Sequence, residues 1–153
     1  MTANASSPSD DATTPSLPLQ LPARPWVILV VDDEPDVLES LRALLAQSIP
    51  GSEVLTAKSG AEGLGMLERV DLIVCDYRMP EMDGIGFLAH CLRNRPSAIR
   101  ILVTAYPGPE PVLENRARQE ARVAGFVWKG LGPQAIVDAV RKAMVGKPAV
   151  AAG

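Results

Sequence analysis

Apolar residues in the middle of the chain alternate between short unbroken runs and longer stretches with helical spacing. Five runs rich in Val, Ile and Leu predict strands, at residues 26–31, 53–57, 71–76, 99–105 and 125–129. Apolar positions three and four residues apart predict helices at residues 34–47, 59–69, 84–94, 110–123 and 133–145. Strict alternation of strand and helix, with short connections, predicts a parallel sheet with helices on both faces.

Local signals agree with several of these helices. Pro35 is typical of the first turn of a helix. Ser59 and Glu62 have the spacing of a capping box at the start of the second helix. Gly63 and Gly65 follow, and each costs about 1 kcal/mol relative to Ala, so the second helix is predicted to be weak.

The two ends of the chain lack such patterns. Residues 1–25 are rich in Pro, Ser and Thr without periodicity, which predicts a disordered tail. Residues 147–153 predict a short flexible tail, so one domain is expected at residues 26–146. Apolar residues make up 47% of the chain and aromatic residues only 4%, which indicates an aliphatic core.

Charge and cysteine content narrow the class of protein. The net charge is −3 and there is no basic block, so direct nucleic-acid binding is not expected. No apolar run reaches the roughly 20 residues of a membrane span, and no signal peptide is evident, so a cytoplasmic location is expected. Cys75 and Cys91 both lie in apolar patterns, which favours two buried free thiols over a disulfide.

Polar residues whose side chains could bind a ligand or react follow four of the predicted strands. Asp32 and Asp33 come after the first strand, Asp76 ends the third, Thr104 ends the fourth and Lys129 ends the fifth. In an open parallel sheet these ends meet at one edge, where ligands bind. Carboxylates so close repel one another unless a cation joins them. Oxygen ligands without His or Cys favour a hard divalent ion, most simply Mg²⁺.

Together, a carboxylate, Mg²⁺, an ammonium and a hydroxyl can stabilise a phosphoryl group in transfer, and Asp76 itself can be the nucleophile. Each residue also has a structural interpretation. Asp76 could start a turn, and Asp32 and Asp33 could be acidic residues that interact favourably with the dipole of the following helix. Thr104 could be a strand former and Lys129 a solvated surface charge.

Four segments, taken in order, resemble the receiver domain of bacterial two-component response regulators. They are "VILVVDDEPDV", "DLIVCDYRMPEMDG", "ILVTA" and "GFVWK", and the resemblance covers residues 26–146. It is closest to single-domain receivers of the chemotaxis type. The resemblance implies a flavodoxin-like, doubly wound (βα)5 fold whose five-stranded parallel sheet has the order 2-1-3-4-5.

The resemblance also implies a metal site and a phosphoacceptor. Asp76 matches the phosphoacceptor, and Asp32 and Asp33 match an acidic pair in which Asp33 is the more direct metal ligand. The backbone carbonyl of Arg78 matches the third protein ligand of Mg²⁺.

Three further residues match positions that act on the phosphoryl group or respond to it. Thr104 and Lys129 match the residues that contact the phosphoryl oxygens, and Phe126 matches a switch aromatic, so that Thr104 and Phe126 form the expected switch. Gly130 departs from the family, which usually has proline after the lysine, and a trans peptide or a local rearrangement of the loop is expected there.

The expected function is that of a single-domain response regulator. It would take a phosphoryl group on Asp76 from a phosphohistidine on a sensor histidine kinase or a histidine phosphotransfer protein. His90 is the only histidine, so the donor should be another protein. No output domain fits after residue 146, so an unknown downstream protein, or onward phosphotransfer, would carry the signal. A dimer that forms on phosphorylation is a further expectation.

No enzymatic activity is expected beyond self-phosphorylation and autodephosphorylation. Two alternatives remain. A Mg²⁺-dependent phosphohydrolase of the haloacid-dehalogenase type uses similar groups, but its "DxDx[TV]" pattern does not match "VVDDEPDV". The other alternative is a receiver-like scaffold that is never phosphorylated.

Overall fold

The computed structural model describes residues 24–105 and 111–146. Its strands are β1 (Val27–Val31), β2 (Glu53–Ala57), β3 (Leu72–Asp76), β4 (Ile99–Thr104) and β5 (Gly125–Trp128). The helices are α1 (Pro35–Ser48), α2 (Gly60–Leu64), α3 (Gly84–Asn94), α4 (Pro111–Glu120) and α5 (Pro133–Val145). Two short 3₁₀ helices follow α2 and β5, at Leu67–Arg69 and Lys129–Leu131.

The strands form one parallel sheet in the order β2-β1-β3-β4-β5. This confirms the predicted flavodoxin-like fold with order 2-1-3-4-5, and all five predicted strands agree with the structure to within one residue at each end. Strands β1, β3 and β4 are buried along their whole length. Central parallel strands are covered on both faces, which explains their unbroken apolar runs.

Alternate residues of the strands supply two cores, one on each face of the sheet. Ile28 and Val30 of β1 pack on the face covered by α1 and α5, whereas Leu29 and Val31 pack on the opposite face. That opposite core includes Phe87, the largest of the fully buried side chains. Cys75 and Cys91 are buried there as free thiols, as predicted.

The second helix is shorter than predicted. Helix α2 ends at Leu64, and the N–H groups of Gly65 and Met66 donate to the carbonyls of Glu62 and Gly63, respectively. The hydroxyl of Ser59 accepts from the N–H of Glu62 at 3.1 Å, as a capping box requires. The carboxylate of Glu62, however, accepts from the N–H of Lys58 at 2.7 Å rather than from that of Ser59.

Gly63 has a packing role that the sequence analysis did not identify. A Cβ added there would lie 2.9 Å from Cζ of Phe87, so α2 can lie close to α3 only without a side chain at this position. Gly63 was predicted only to weaken the helix, but in the structure it allows close contact between two helices.

The fourth helix also ends earlier than predicted, at Glu120 instead of residue 123. Arg122 adopts a positive φ of 49°, which stops the helix before β5. The predicted first residue, Glu110, lies outside the described residues. None of the described helices has the length and apolar content needed to cross a membrane.

Two buried ionic residues stabilise the end of the sheet where the strands begin. Asp71 pairs with both terminal nitrogens of Arg24 at 2.9 Å and accepts from the N–H of Val27 at 2.8 Å. Arg24 was assigned to the predicted tail 1–25, but this contact joins it to the domain. The remainder of that tail, and residues 147–153, lie outside the described residues.

Arg100 is the other buried ionic residue. Its guanidinium donates to four backbone carbonyls, which belong to Pro96, Ala98, Ala121 and Arg122. These carbonyls lie just beyond the C-terminal ends of α3 and α4, where backbone acceptors lack helical partners. Arg100 therefore joins the ends of two helices to β4.

Candidate functional site

The site lies at the edge of the sheet where the strands end. β1 and β3 are neighbours, so Asp32, directly after β1, and Asp76, the last residue of β3, lie side by side. Lys129 follows β5 at the start of its 3₁₀ turn. The sheet order thus brings together residues separated by up to 97 positions in the chain.

Three carboxyl groups form the centre of the site. Ligand oxygens of Asp32, Asp33 and Asp76 all lie within 4.8 Å of one another. Asp32 and Asp76 are buried, with 2% and 8% of their surface exposed, whereas Asp33 is exposed. The oxygen-only donor set, without His or Cys, fits a hard divalent cation such as Mg²⁺.

Lys129 joins two of these carboxylates. Its Nζ lies 3.1 Å from Oδ2 of Asp32 and 3.0 Å from Oδ1 of Asp76. The other oxygen of Asp32 accepts from the N–H of Glu34 at 2.9 Å, which fixes that side chain. Burial alone would lower the pKa of Lys129, but its hydrogen bond with Asp76 and the charges of Asp76 and Asp32 raise that pKa overall.

The carboxyl group of Asp76 has an altered acidity. Burial raises its pKa to about 6, against the lowering effect of the hydrogen bond and charge of Lys129, and the charges of Asp32 and Asp33 add to the rise. At neutral pH the group is mainly ionised, yet it lies close to its titration point. A cation that binds the cluster would therefore relieve an unfavourable charge.

Thr104 and Phe126 occupy different levels of the sheet. Thr104 is buried at the end of β4, the strand between β3 and β5, and is paired with Trp128. Phe126 lies two residues before Trp128, opposite Leu102, and packs as a half-buried side chain against the core that contains Phe87. Thr104 thus lies at the site edge, whereas Phe126 lies farther down the strand.

An open cleft of about 480 Å³ borders the acidic cluster. Asp33, Tyr77 and Arg78 are among the residues that line it. The backbone of this loop is held on both sides of Tyr77, whose N–H donates to Val103 and whose carbonyl accepts from Gly84, both at 2.8 Å. Arg78, the predicted source of a carbonyl ligand, therefore follows a restrained residue.

Two further residues shape this loop, and the sequence analysis assigned them no role. A Cβ on Gly84 would lie 2.4 Å from the carbonyl oxygen of Asp76, so only glycine allows α3 to begin this close to β3. Asp83 caps α3, and its Oδ1 accepts from the N–H of Gly86 at 2.8 Å. The Asp-Gly pair before an apolar helical pattern was the signal for the cap.

Comparison with known proteins decides the family. The sequence model of one protein family, the response regulator receiver domain, matches residues 28–141 of this chain. The chain belongs to this family. The receiver-domain match confirms the resemblance seen in the sequence. The Lys129–Gly130 peptide of this receiver domain is trans, as expected.

Curated relatives are longer regulators. The receiver domain is 36% identical over 124 residues to the transcriptional regulatory protein GlrR of Escherichia coli K12, covering 79% of this chain and 27% of that protein. It is 30% identical over 127 residues to the nitrate/nitrite response regulator NarP of the same organism, covering 81% of this chain and 57% of NarP. The chain thus spans about a quarter of GlrR and somewhat more than half of NarP.

Solved receiver domains have the same fold. The signal receiver domain of an HD-domain-containing protein from Pseudomonas fluorescens Pf-5 has a TM-score of 0.72 at 29% identity, covering 80% of this chain and 97% of that one. The response regulator TrrA of Thermotoga maritima, in complex with Mg²⁺ and BeF, has a TM-score of 0.66 at 28% identity, covering 78% and 99%.

Proposed function

We propose that this receiver domain accepts a phosphoryl group on the carboxylate of Asp76. The observation that supports the proposal is the position of Lys129, whose ammonium contacts both Asp76 and Asp32 beside the exposed carboxylate of Asp33. A nucleophilic oxygen, a cation for the phosphoryl oxygens and an acidic metal-binding cluster then occupy one edge of the sheet.

Asp32, Asp33 and Asp76, with the backbone carbonyl of Arg78, would hold Mg²⁺ in this proposal. The bound ion would supply positive charge to offset that of the carboxylates and of an incoming phosphoryl group. The Thermotoga maritima relative is in complex with Mg²⁺ and BeF, which supports the same cofactor for this chain.

The chemical step is a transfer between two proteins. An oxygen of Asp76 forms a bond to phosphorus, and the bond from phosphorus to the imidazole nitrogen of the donor breaks. The electron pair of that bond leaves on the imidazole, and Asp76 becomes an acyl phosphate. Lys129 and the hydroxyl of Thr104 bind the phosphoryl oxygens as they move.

The donor would be a phosphohistidine of a sensor histidine kinase or a histidine phosphotransfer protein. His90, the only histidine of the chain, lies on α3, where its Nδ1 is 2.9 Å from Nη2 of Arg93. It is not among the residues of the site. The chain itself would act only in its own phosphorylation and dephosphorylation, and a downstream protein would receive the signal by contact or by onward transfer.

Thr104 and Phe126 would form the switch that responds to phosphorylation. Both lie on strands next to the site, and Phe126 is only half-buried, so it can change its packing. Amide hydrogen exchange with and without beryllofluoride tests this. Protection should change at residues 104–132 more than elsewhere, and changes confined to the surroundings of Asp33 and Asp76 would contradict the switch.

Mass spectrometry after incubation with acetyl phosphate tests the proposed function. One phosphoryl group should be added in the presence of Mg²⁺ and none after chelation. Asp76→Asn should take up none, whereas Asp138→Asn, which removes an exposed carboxylate on α5, should match the wild type. Labelling of Asp76→Asn at the wild-type yield would refute the assignment, and a wild-type chain that is never labelled would favour the scaffold alternative.

A further inference from the structure

Gly130 has no space for a side chain, because the indole ring of Trp128 lies against its Cα. A Cβ on Gly130 would lie 2.6 Å from both Cε2 and Cζ2 of that ring and 3.1 Å from Cδ2. Among the described glycines only Gly51 and Gly132 have a positive φ, so the backbone of Gly130 would accept an alanine. Contact with the ring, rather than backbone conformation, is therefore the reason for glycine at position 130.

The segment under the ring is the turn that presents Lys129. Residues Lys129–Leu131 form a 3₁₀ turn, which is closed by a hydrogen bond of 2.9 Å from the N–H of Gly132 to the carbonyl of Lys129. Trp128 precedes the turn as the last residue of β5, and its backbone is paired with Thr104 of β4. The ring thus extends from the sheet edge over the turn.

We propose that Trp128 is a positioning residue, whose indole ring holds the turn at residues 129–131 and thereby keeps the ammonium of Lys129 between Asp32 and Asp76. The inference rests on the proposed function, because it concerns the group that would bind the phosphoryl oxygens. It assigns Trp128 no contact with the reacting atoms.

The need for such a restraint follows from the lysine side chain. Lys129 Nζ must reach two carboxylates at 3.1 Å and 3.0 Å through a flexible four-carbon stem. An adjacent glycine would by itself increase the freedom of the backbone that carries this stem. The large, rigid surface of the indole ring removes that freedom at low entropic cost, because the ring has only two side-chain torsions.

A pair of complementary substitutions tests the contact. Gly130→Ala adds one methyl group in the space of the ring, and Trp128→Val removes the ring and keeps a strand-forming residue. Each single variant should slow phosphorylation by acetyl phosphate about tenfold, which corresponds to ~1.4 kcal/mol. The double variant should be no slower than Trp128→Val, because the methyl group then occupies vacated space. Losses that multiply in the double variant would overturn the proposal.

A second comparison separates positioning from general damage to the fold. Mg²⁺ affinity should not fall in any of the three variants, because the carboxylates are not altered and a displaced Lys129 ammonium competes less with the ion for Asp32 and Asp76. Leu131→Ala changes an exposed side chain of the same turn, 65% exposed, and should leave the phosphorylation rate unchanged. Loss of Mg²⁺ affinity in parallel with the rate, or an equal slowing in Leu131→Ala, would contradict a specific role of the ring.

Two readouts do not depend on phosphorylation. In a Trp26→Phe background, Gly130→Ala should shift the emission of Trp128 to longer wavelength as the methyl group displaces the ring toward solvent. The amide of Gly132 should exchange faster in both Gly130→Ala and Trp128→Val, because its bond to Lys129 closes the turn. Unchanged emission or unchanged exchange overturns the positioning role. A wild-type chain that is never phosphorylated overturns the proposed function instead.

Discussion

The carboxyl group of Asp76 illustrates how burial alters a single residue. It ends a strand that is buried on both faces, and this burial raises its pKa from 3.8 to about 6 although Lys129 is in contact. An acid whose pKa is raised on folding stabilises the native state only while it is protonated. Its contribution is therefore fully present below about pH 3.8 and is lost as the pH rises to about 6.

Asp76→Asn should remove this pH dependence. With Mg²⁺ chelated, the variant should be more stable than the wild type by up to ~3 kcal/mol at pH 7.5, because one pKa unit corresponds to 1.36 kcal/mol. At pH 4 the two proteins should differ much less. Urea unfolding at several pH values measures this, with Asp138→Asn as the control for loss of one carboxylate. If the two free energies of unfolding differ by the same amount at pH 4 and at pH 7.5, the pKa of Asp76 is not raised by folding.

The start of α3 is the clearest constraint at the scale of an element. Only glycine at position 84 lets this helix follow β3 so closely, since a Cβ there would lie 2.4 Å from the carbonyl oxygen of Asp76. That oxygen belongs to the backbone and cannot move by a side-chain rotation. The loop that carries Arg78 would have to shift with it.

Gly84→Ala should therefore destabilise the domain by about 1–3 kcal/mol or more, as substitutions that overpack a site do. Gly86→Ala, two residues farther along α3, is the matched control. A Cβ at position 86 would make only ordinary contacts, at 3.6 Å or more, and alanine has the higher helix propensity. Denaturant unfolding should show no loss of stability in Gly86→Ala, and equal losses in the two variants would contradict the steric argument.

Arg100 connects three elements at the opposite end of the sheet. Its guanidinium satisfies carbonyls beyond the ends of α3 and α4, and burial lowers its pKa. We expect Arg100→Met to cost about 2–4 kcal/mol, because these buried acceptors would lose their donor. Arg116→Met on α4, which breaks an exposed ion pair with Glu120, should change the free energy of unfolding by less than about 1 kcal/mol. Similar losses in the free energy of unfolding for the two variants would show that Arg100 does not hold the ends of α3 and α4 to β4.

At the scale of the whole molecule, the acidic cluster should couple metal binding to folding. Mg²⁺ that binds only the native state should stabilise it by ~2.7 kcal/mol at a hundred times the dissociation constant. The melting temperature should therefore rise with Mg²⁺ in the wild type and much less in Asp33→Ala. Glu34→Gln removes a neighbouring charge outside the cluster and should retain the rise. Equal shifts in wild type and Asp33→Ala would mean that the ion binds elsewhere.

Much of the architecture could be predicted from the sequence. Within the part of the chain that the structure describes, unbroken apolar runs indicated the five strands, because central parallel strands are covered on both faces, and helical spacings indicated the five α-helices. The same alternation determined that Asp32, Asp33, Asp76, Thr104 and Lys129 would meet at one edge, since the carboxyl ends of parallel strands converge there. These conclusions needed only local pattern and connection rules.

The tertiary structure alone decided how closely particular groups approach. Gly63 and Gly84 are required by Phe87 and by the backbone of Asp76, and Gly130 by the ring of Trp128. The raised pKa of Asp76 likewise depends on packing around the end of β3. Except for Gly130, these effects involve groups several residues or more apart in the chain. Periodicity assigns a residue to an element and a face, but only the packed coordinates determine which atoms lie within van der Waals distance.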